Sequence, residues 1–139
     1  MEKDFEFIDH TADIGIVAYG IDMKQVFANV ARGFFSLITE LDTVAVKEKR
    51  GIKVTAPDRE ALLVNWLNEL IYLFEVKEML FNRFDITSIT DTELTAIGYG
   101  EKINLAKHEL KTQVKAATYH TLKIEQNEDG WKAQVILDV

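Results

Sequence analysis

The 139-residue sequence contains no cysteine and only one proline, Pro57. The absence of cysteine excludes a disulfide framework, a thiolate zinc site and a cysteine nucleophile. A chain of this length with 47% hydrophobic residues can bury a core without covalent or metal support. We therefore predict a single folded domain over residues 1–139.

The sequence also lacks a block of positive charge and a long apolar run. Its net charge is −7, which argues against tight, autonomous binding to nucleic acid, because such binding needs a basic face. The longest cationic cluster, Lys47, Lys49, Arg50 and Lys53, is interpreted as a solvated strand edge. The polar start, residues 1–4, has no apolar segment after it and is not a signal peptide. No run approaches the ~20 apolar residues of a membrane span, so we expect a cytoplasmic protein without membrane contact.

Two helices are predicted from apolar residues spaced three and four apart. The first begins after Asp22, a suitable N-cap, with Gln25 at the capping-box position. Gly33 lies inside this helix, where close packing is its expected role. The second helix is predicted with Pro57 at its first position and an apolar face that includes Trp66.

Most of the remaining sequence is typical of strands. Strand patterns cover residues 4–8, 14–21, 44–54, 85–99, 114–119, 122–126 and 131–139, and Asn127 to Gly130 is a predicted hairpin turn. In the last strand the alternation places Ile136 on the polar side. Two amphipathic helices among many strands predict an α+β domain of mostly antiparallel sheets with the helices packed on them.

No nucleotide-binding or hydrolase motif is present. The sequence has no G-x-G-x-x-G, P-loop, H-E-x-x-H or G-x-S-x-G pattern. The polar segment from Asp9 to Gly15 instead concentrates carboxylates, an imidazole and a hydroxyl between two short strands. It is compatible with an Asx or ST turn, or with a site for a hard cation such as Ca²⁺ or Mg²⁺.

The chain end supplies a second group of carboxylates. Asp138 stands beside Val139, which carries the α-carboxylate, and an exposed acidic residue at a strand end is the ordinary interpretation. If this strand ended beside Asp13, three carboxylates would converge, and their repulsion would favour a bound divalent cation or raised pKa values. Lys115 and His120 are candidates for an anion-binding or partner-contact pair near such a pocket; ordinary strand alternation is the other interpretation.

Five segments in order along nearly the whole chain resemble the archease family. They are Asp9–Gly15, Trp66–Phe74, Tyr99–Glu101, Lys115–His120, and Trp131 to the terminal Leu137-Asp138-Val139. The resemblance implies a small α/β protein without established catalysis of its own. It implies action on an RtcB-type RNA ligase, by promoting GTP-dependent guanylation of the ligase histidine and multiple turnover in tRNA splicing.

The resemblance further implies a metal site formed by Asp13, Asp138 and Val139, with Ca²⁺ the expected ion and Mg²⁺ or Mn²⁺ possible alternatives. Lys115, His10 and His120 are then candidates for contacts with the partner. Two other functions stay open. One is a chaperone or modulator of a tRNA-modifying methyltransferase. The other is a small metal-dependent hydrolase with Asp13 and Asp138 as ligands and His10 or His120 as general base.

Overall fold

The computed structural model describes residues 3–10 and 13–139. Residues 1–2 and 11–12, the latter inside the predicted Asp9–Gly15 loop, lie outside the described part. The described elements follow in chain order as β1 (Phe5–His10), β2 (Asp13–Gly20), α1 (Met23–Ile38), β3 (Glu48–Thr55), α2 (Arg59–Glu75), β4 (Met79–Ile89), β5 (Glu93–Lys102), β6 (Ala116–Asn127) and β7 (Gly130–Asp138). A 3₁₀ turn spans Leu41–Thr43. No helix among these residues has the length and apolar character needed to cross a bilayer.

The strands form two antiparallel sheets. The larger sheet has the order β1-β2-β7-β6, and the smaller one has the order β3-β5-β4. Helix α1 contacts β2 and β7 of the larger sheet and β4 of the smaller one, and α2 contacts both β6 and β3. The two helices therefore share one apolar core with both sheets, which confirms the predicted α+β fold.

Both helices begin at an aspartate cap. The Asp22 carboxylate accepts a hydrogen bond from the Gln25 N–H at 2.8 Å, and the Gln25 side chain accepts one from the Ile21 N–H at 2.7 Å. The prediction that Pro57 occupies the first position of α2 is wrong. Asp58 is the N-cap, with extended backbone and a side chain that accepts from the Ala61 N–H, so Pro57 precedes the helix.

Three strand predictions also need correction. Strand β4 begins at Met79, six residues before the predicted strand. The prediction missed this start because its apolar residues show no alternation that would separate them from the end of α2. Strand β3 begins at Glu48, later than predicted. Ile136, predicted on the polar face, is 1% exposed, because it packs with Ile8 over Gly15 on the outer side of the larger sheet.

The hairpin between β6 and β7 is confirmed. Gly130 has a φ of 131°, a backbone conformation that side chains rarely adopt, and it opens β7 directly after the turn. This hairpin fixes the register of the final strand, and the register determines which residues face Asp138.

Candidate functional site

The pairing of β2 with β7 brings the two predicted aspartates together. Asp13 and Asp138 are directly opposite one another in this antiparallel ladder. Side chains of opposed residues project from the same face, with Cβ atoms about 4.5–5.5 Å apart. The register therefore places the two aspartates on the same face at one end of the larger sheet, whereas the convergence of three carboxylates stays a prediction.

Strand β6 adds a third segment at the same end. Ala116 is the register partner of Asp138, and the Lys115 N–H donates a hydrogen bond to the Asp138 carbonyl at 2.8 Å. Lys115 is exposed, whereas the Val139 side chain is half-buried and packs against the core. The structure thus assembles Asp13, Asp138, Val139 and the backbone of Lys115 in one neighbourhood.

A close contact next to the opposed pair of Asp13 and Asp138, which we call the Asp13–Asp138 row, fixes strands β2 and β7. Gly15 lies two residues from Asp13 and pairs with Ile136, two residues from Asp138. A Cβ atom at Gly15 would overlap the Ile8 side chain and come within 3.0 Å of Ile136 Cδ1. Glycine at this position is therefore required by packing, and the packing holds the register that opposes the aspartates.

Helix α2 reaches the site through one polar side chain. The Asn68 Oδ1 accepts a hydrogen bond from the Ala117 N–H at 3.1 Å. Strand β6 is at the sheet edge, so this amide satisfies a main-chain donor that no further strand can pair. Within the Trp66–Phe74 segment, Asn68 thus positions β6, while Trp66 is fully buried and donates to the Phe27 carbonyl at 3.0 Å.

The two histidine candidates differ in how near they lie to the Asp13–Asp138 row. His10 is the backbone partner of Asp13 in the β1–β2 pair, so its main chain adjoins the site. His120 is exposed and belongs to an irregular stretch of β6 between Thr118 and Lys123, where the register shifts. That stretch lies opposite Val135, three residues before Asp138, and the register does not bring His120 into the Asp13–Asp138 row.

The oxygen ligands that Asp13 and Asp138 offer suit a hard cation, but they are few. Carboxylate and carbonyl oxygens are the ligands that Ca²⁺, Mg²⁺ and Mn²⁺ prefer. No group of three or more His, Asp or Glu side chains within residues 3–10 and 13–139 is arranged to hold a metal. A cation bound by Asp13 and Asp138 would therefore need the Val139 carboxylate, main-chain oxygens, water or a group from a partner to complete its coordination.

Comparison with known proteins decides the family. The sequence model of the archease protein family matches residues 5–139. The archease of Methanosarcina acetivorans is 42% identical over 141 residues, covering 99% of this chain and 97% of that protein. The archease of Pyrococcus abyssi is also 42% identical, with 99% of each chain covered. The chain belongs to the archease family.

Solved structures agree with this assignment. The solution structure of Methanobacterium thermoautotrophicum protein 1598 is similar with a TM-score of 0.80 and 38% identity, covering 98% of this chain and 99% of that one. The crystal structure of an archease from Thermotoga maritima has a TM-score of 0.64 at 24% identity, which shows the shared fold alone. The predicted family resemblance and fold are thus confirmed, whereas the site residues stay a prediction.

This archease also contains a buried polar cluster that sequence reasoning missed. The Glu101 carboxylate is 5% exposed and accepts from Lys107 Nζ at 2.6 Å, from the Ala45 N–H at 2.7 Å and from His108 Nε2 at 2.9 Å. Lys47 Nζ lies 3.7 Å from its second oxygen. All four partners lie outside regular strands, so no periodic pattern signals the cluster.

The environment of Glu101 shifts its pKa strongly. Burial alone would raise the pKa of this carboxyl, but hydrogen bonds from Lys107, Ala45 and His108 outweigh it and lower the pKa to about 2. His108 Nδ1 accepts the Asn104 N–H at 2.9 Å, so its ring proton is on Nε2 and points at Glu101. The cluster anchors the loop after β5 and is separate from the Asp13–Asp138 row.

Proposed function

We propose that this archease-family protein is an accessory factor of an RtcB-type RNA ligase and acts in the cytoplasm. In this proposal it is not itself the enzyme. It stimulates transfer of GMP from GTP to the ligase histidine through a divalent cation associated with Asp13, Asp138 and Val139. The observation that carries the proposal is the opposition of Asp13 and Asp138 in the β2–β7 ladder, at the exposed end of a sheet.

The chemistry of the site is consistent with such a role. Guanylation brings the negatively charged triphosphate of GTP to a histidine, and a divalent cation supplies compensating positive charge when bound. Asp13 and Asp138 would hold the cation in this proposal, and the Val139 carboxylate would complete the acidic set. Lys115 is exposed and its backbone adjoins Asp138, and in this proposal its ammonium contacts an anionic group of the ligase or its nucleotide.

The test is a guanylation assay with radiolabelled GTP, the ligase and this protein. We expect Asp13→Asn and Asp138→Asn to abolish most of the stimulation while the proteins stay folded, because each removes a charge and leaves the side-chain shape. Asp129→Asn is the matched control, since Asp129 is an exposed aspartate in the turn at the opposite end of β7. It is expected to stimulate like wild type.

Two results would contradict the proposal. Full stimulation by the folded Asp13→Asn and Asp138→Asn variants would remove the acidic row from the mechanism. An equal loss of stimulation in Asp129→Asn would show that stimulation depends on the overall charge of the protein and not on this site. Turnover of a phosphoester without any ligase would instead favour the metal-dependent hydrolase.

Several exposed apolar side chains support a second candidate function. Tyr72 of α2 and Val76, the residue that caps its C-terminal end, are 44% and 60% exposed, and Leu110 in a separate segment is 41% exposed. Leu110 also lines a groove of about 500 Å³ with Phe74 and the following loop. The related Thermotoga maritima protein is described as a possible chaperone. A chaperone or modulator of a tRNA methyltransferase would use such exposed apolar side chains, so Tyr72→Ser should weaken methyltransferase binding and leave guanylation unchanged.

A further inference from the structure

The outer face of the three-stranded sheet is positively charged, although the protein as a whole is negatively charged. Strand β3 forms an edge of that sheet, and its residues Lys49 and Lys53 are opposite Tyr99 and Thr95 of the central strand. Arg83 of β4 is opposite Tyr99 from the other side. The neighbouring core-facing positions of β3, Ile52 and Val54, are buried under the helices, so the lysines lie on the face turned away from the core.

The balance of charge on this face is positive. Its cationic side chains are Lys47, Lys49, Lys53, Arg83 and Lys107, and its carboxylates are Asp85, Glu93 and Glu101. The resulting net of +2 contrasts with −7 for the whole chain. The whole acidic excess therefore lies elsewhere, and this face can attract a polyanion that the rest of the surface repels.

A glycine interrupts the row of lysines at its centre. Gly51 stands between Lys49 and Lys53 and is opposite Ile97. A Cβ atom placed on Gly51 would meet nothing within 4 Å, and its φ is not in the positive region, so neither packing nor backbone conformation requires glycine. Glycine inside a strand weakens the strand and often marks close approach of a ligand. Here it leaves open space above Gly51, beside Ile97 and between Lys49 and Lys53, and we call this space the depression.

A stacked pair lies beside this depression. The guanidinium of Arg83 lies 4.1 Å from the centre of the Tyr99 ring. Aromatic and guanidinium planes on an open sheet are surfaces on which unpaired bases stack, while neighbouring lysines contact the phosphates. The Arg83–Asp85 ion pair is 3.5 Å long and exposed, so it leaves the guanidinium largely available.

We propose that this face, made of Lys49, Gly51, Lys53, Arg83, Ile97 and Tyr99, binds a segment of single-stranded RNA. A base lies in the depression over Gly51 and Ile97 next to the Tyr99–Arg83 stack, and Lys49 and Lys53 contact the flanking phosphates. An acidic peptide would pair with the lysines, but it would not occupy the depression and contact the Tyr99–Arg83 stack at the same time. Binding is weak and salt-sensitive, which agrees with the absence of a basic block in the sequence. The proposal goes beyond ligase activation, since guanylation consumes GTP and needs no RNA.

The test is fluorescence anisotropy with a fluorescein-labelled single-stranded RNA of ten nucleotides. We expect saturable binding at 50 mM NaCl that weakens on the order of tenfold at 200 mM, as for two or three phosphate contacts. The Lys49→Gln/Lys53→Gln double variant should weaken binding about tenfold at 50 mM. Its matched control is Lys24→Gln/Lys123→Gln, which makes the same charge change at exposed lysines outside this sheet.

Gly51→Val separates binding from folding. Valine favours strands, and the space above Gly51 is open, so this variant should melt at a temperature equal to or above that of wild type. It should nevertheless lose RNA binding, because the side chain fills the depression. Tyr99→Leu should lose about tenfold through the missing stack.

Several results would overturn the proposal. They are an absence of binding by wild type at 50 mM NaCl, equal weakening in the control double variant, wild-type binding by Gly51→Val, and equal displacement of the RNA by a poly-glutamate peptide. Each is distinguishable from failure of the proposed function, because the same variants are expected to stimulate guanylation normally in the assay without RNA.

Discussion

The Asn68 side chain accepts the main-chain N–H of Ala117 at 3.1 Å, and this contact joins α2 to the edge strand that borders Asp138. We expect Asn68→Ala to leave that amide without a protein acceptor and to lower the free energy of unfolding by about 1 kcal/mol. Amide hydrogen exchange at Ala117 should accelerate, and stimulation of guanylation should fall. Asn68→Asp keeps an acceptor oxygen and should retain slow exchange. Unchanged exchange in Asn68→Ala would contradict a positioning role.

The opposition of Asp13 and Asp138 predicts cation-dependent stability. A ligand that binds only the folded protein raises its melting temperature by mass action. We expect Ca²⁺ to raise the melting temperature of wild type, with Mg²⁺ and Mn²⁺ as comparisons, and the shift to vanish in Asp138→Asn. Addition of one glycine after Val139 moves the α-carboxylate by about 3.5 Å and should reduce the shift. A full shift in the extended protein would exclude the Val139 carboxylate as a ligand.

The close contact at Gly15 predicts a strong effect of one methyl group. In Gly15→Ala the new Cβ overlaps Ile8 and crowds Ile136, so the free energy of unfolding should fall by about 1–3 kcal/mol in denaturant titrations. Gly51→Ala is the matched control, because it adds the same atom to a strand where nothing lies within 4 Å. It should be neutral or stabilising. Equal effects of the two substitutions would indicate that strand propensity, and not packing, determines the result.

Local patterns in the sequence predicted the elements that depend on local physics. The caps at Asp22, the apolar stripes of the helices and the turn at Gly130 are each encoded within a few residues, and the structure confirms them. The sequence could not predict the pairing of β2 with β7 and allowed it only as an assumption, because this pairing joins segments from the two ends of the chain. The carboxylates of the Asp9–Gly15 segment and of the chain end made Asp13 and Asp138 candidates, and the resemblance to archeases implied their role as metal ligands.

The failures have different physical origins. Strand alternation assumes one apolar side and so predicts Ile136 on the polar face, but its packing with Ile8 over Gly15 buries it. Proline suits the first helical position and so predicts a helix beginning at Pro57, but Asp58 is the N-cap and the first helical residue is Arg59. The Glu101 cluster was missed because its partners come from irregular segments, where spacing carries no information.

Glu101 predicts how stability depends on acid. Its pKa of about 2 in the folded protein lies below the ordinary value of 4.5, so the unfolded chain binds a proton first as the pH falls. The stabilisation is therefore fully present above about pH 4.5 and is lost between about pH 4.5 and 2. Glu101→Gln should flatten this part of the stability profile. It should also lower stability at pH 7, because Lys107 keeps its charge beside a neutral amide.

The measurement is urea unfolding at closely spaced pH values from 2 to 7. Glu48→Gln is the control, since Glu48 is an exposed carboxylate at the start of β3, and the variant should keep the acid slope of wild type. A Glu101→Gln protein with the wild-type slope would show that other carboxylates cause the acid dependence. Guanylation stimulation at pH 7 distinguishes the two clusters further, because a folded Glu101→Gln protein should still stimulate if the active region is the Asp13–Asp138 row.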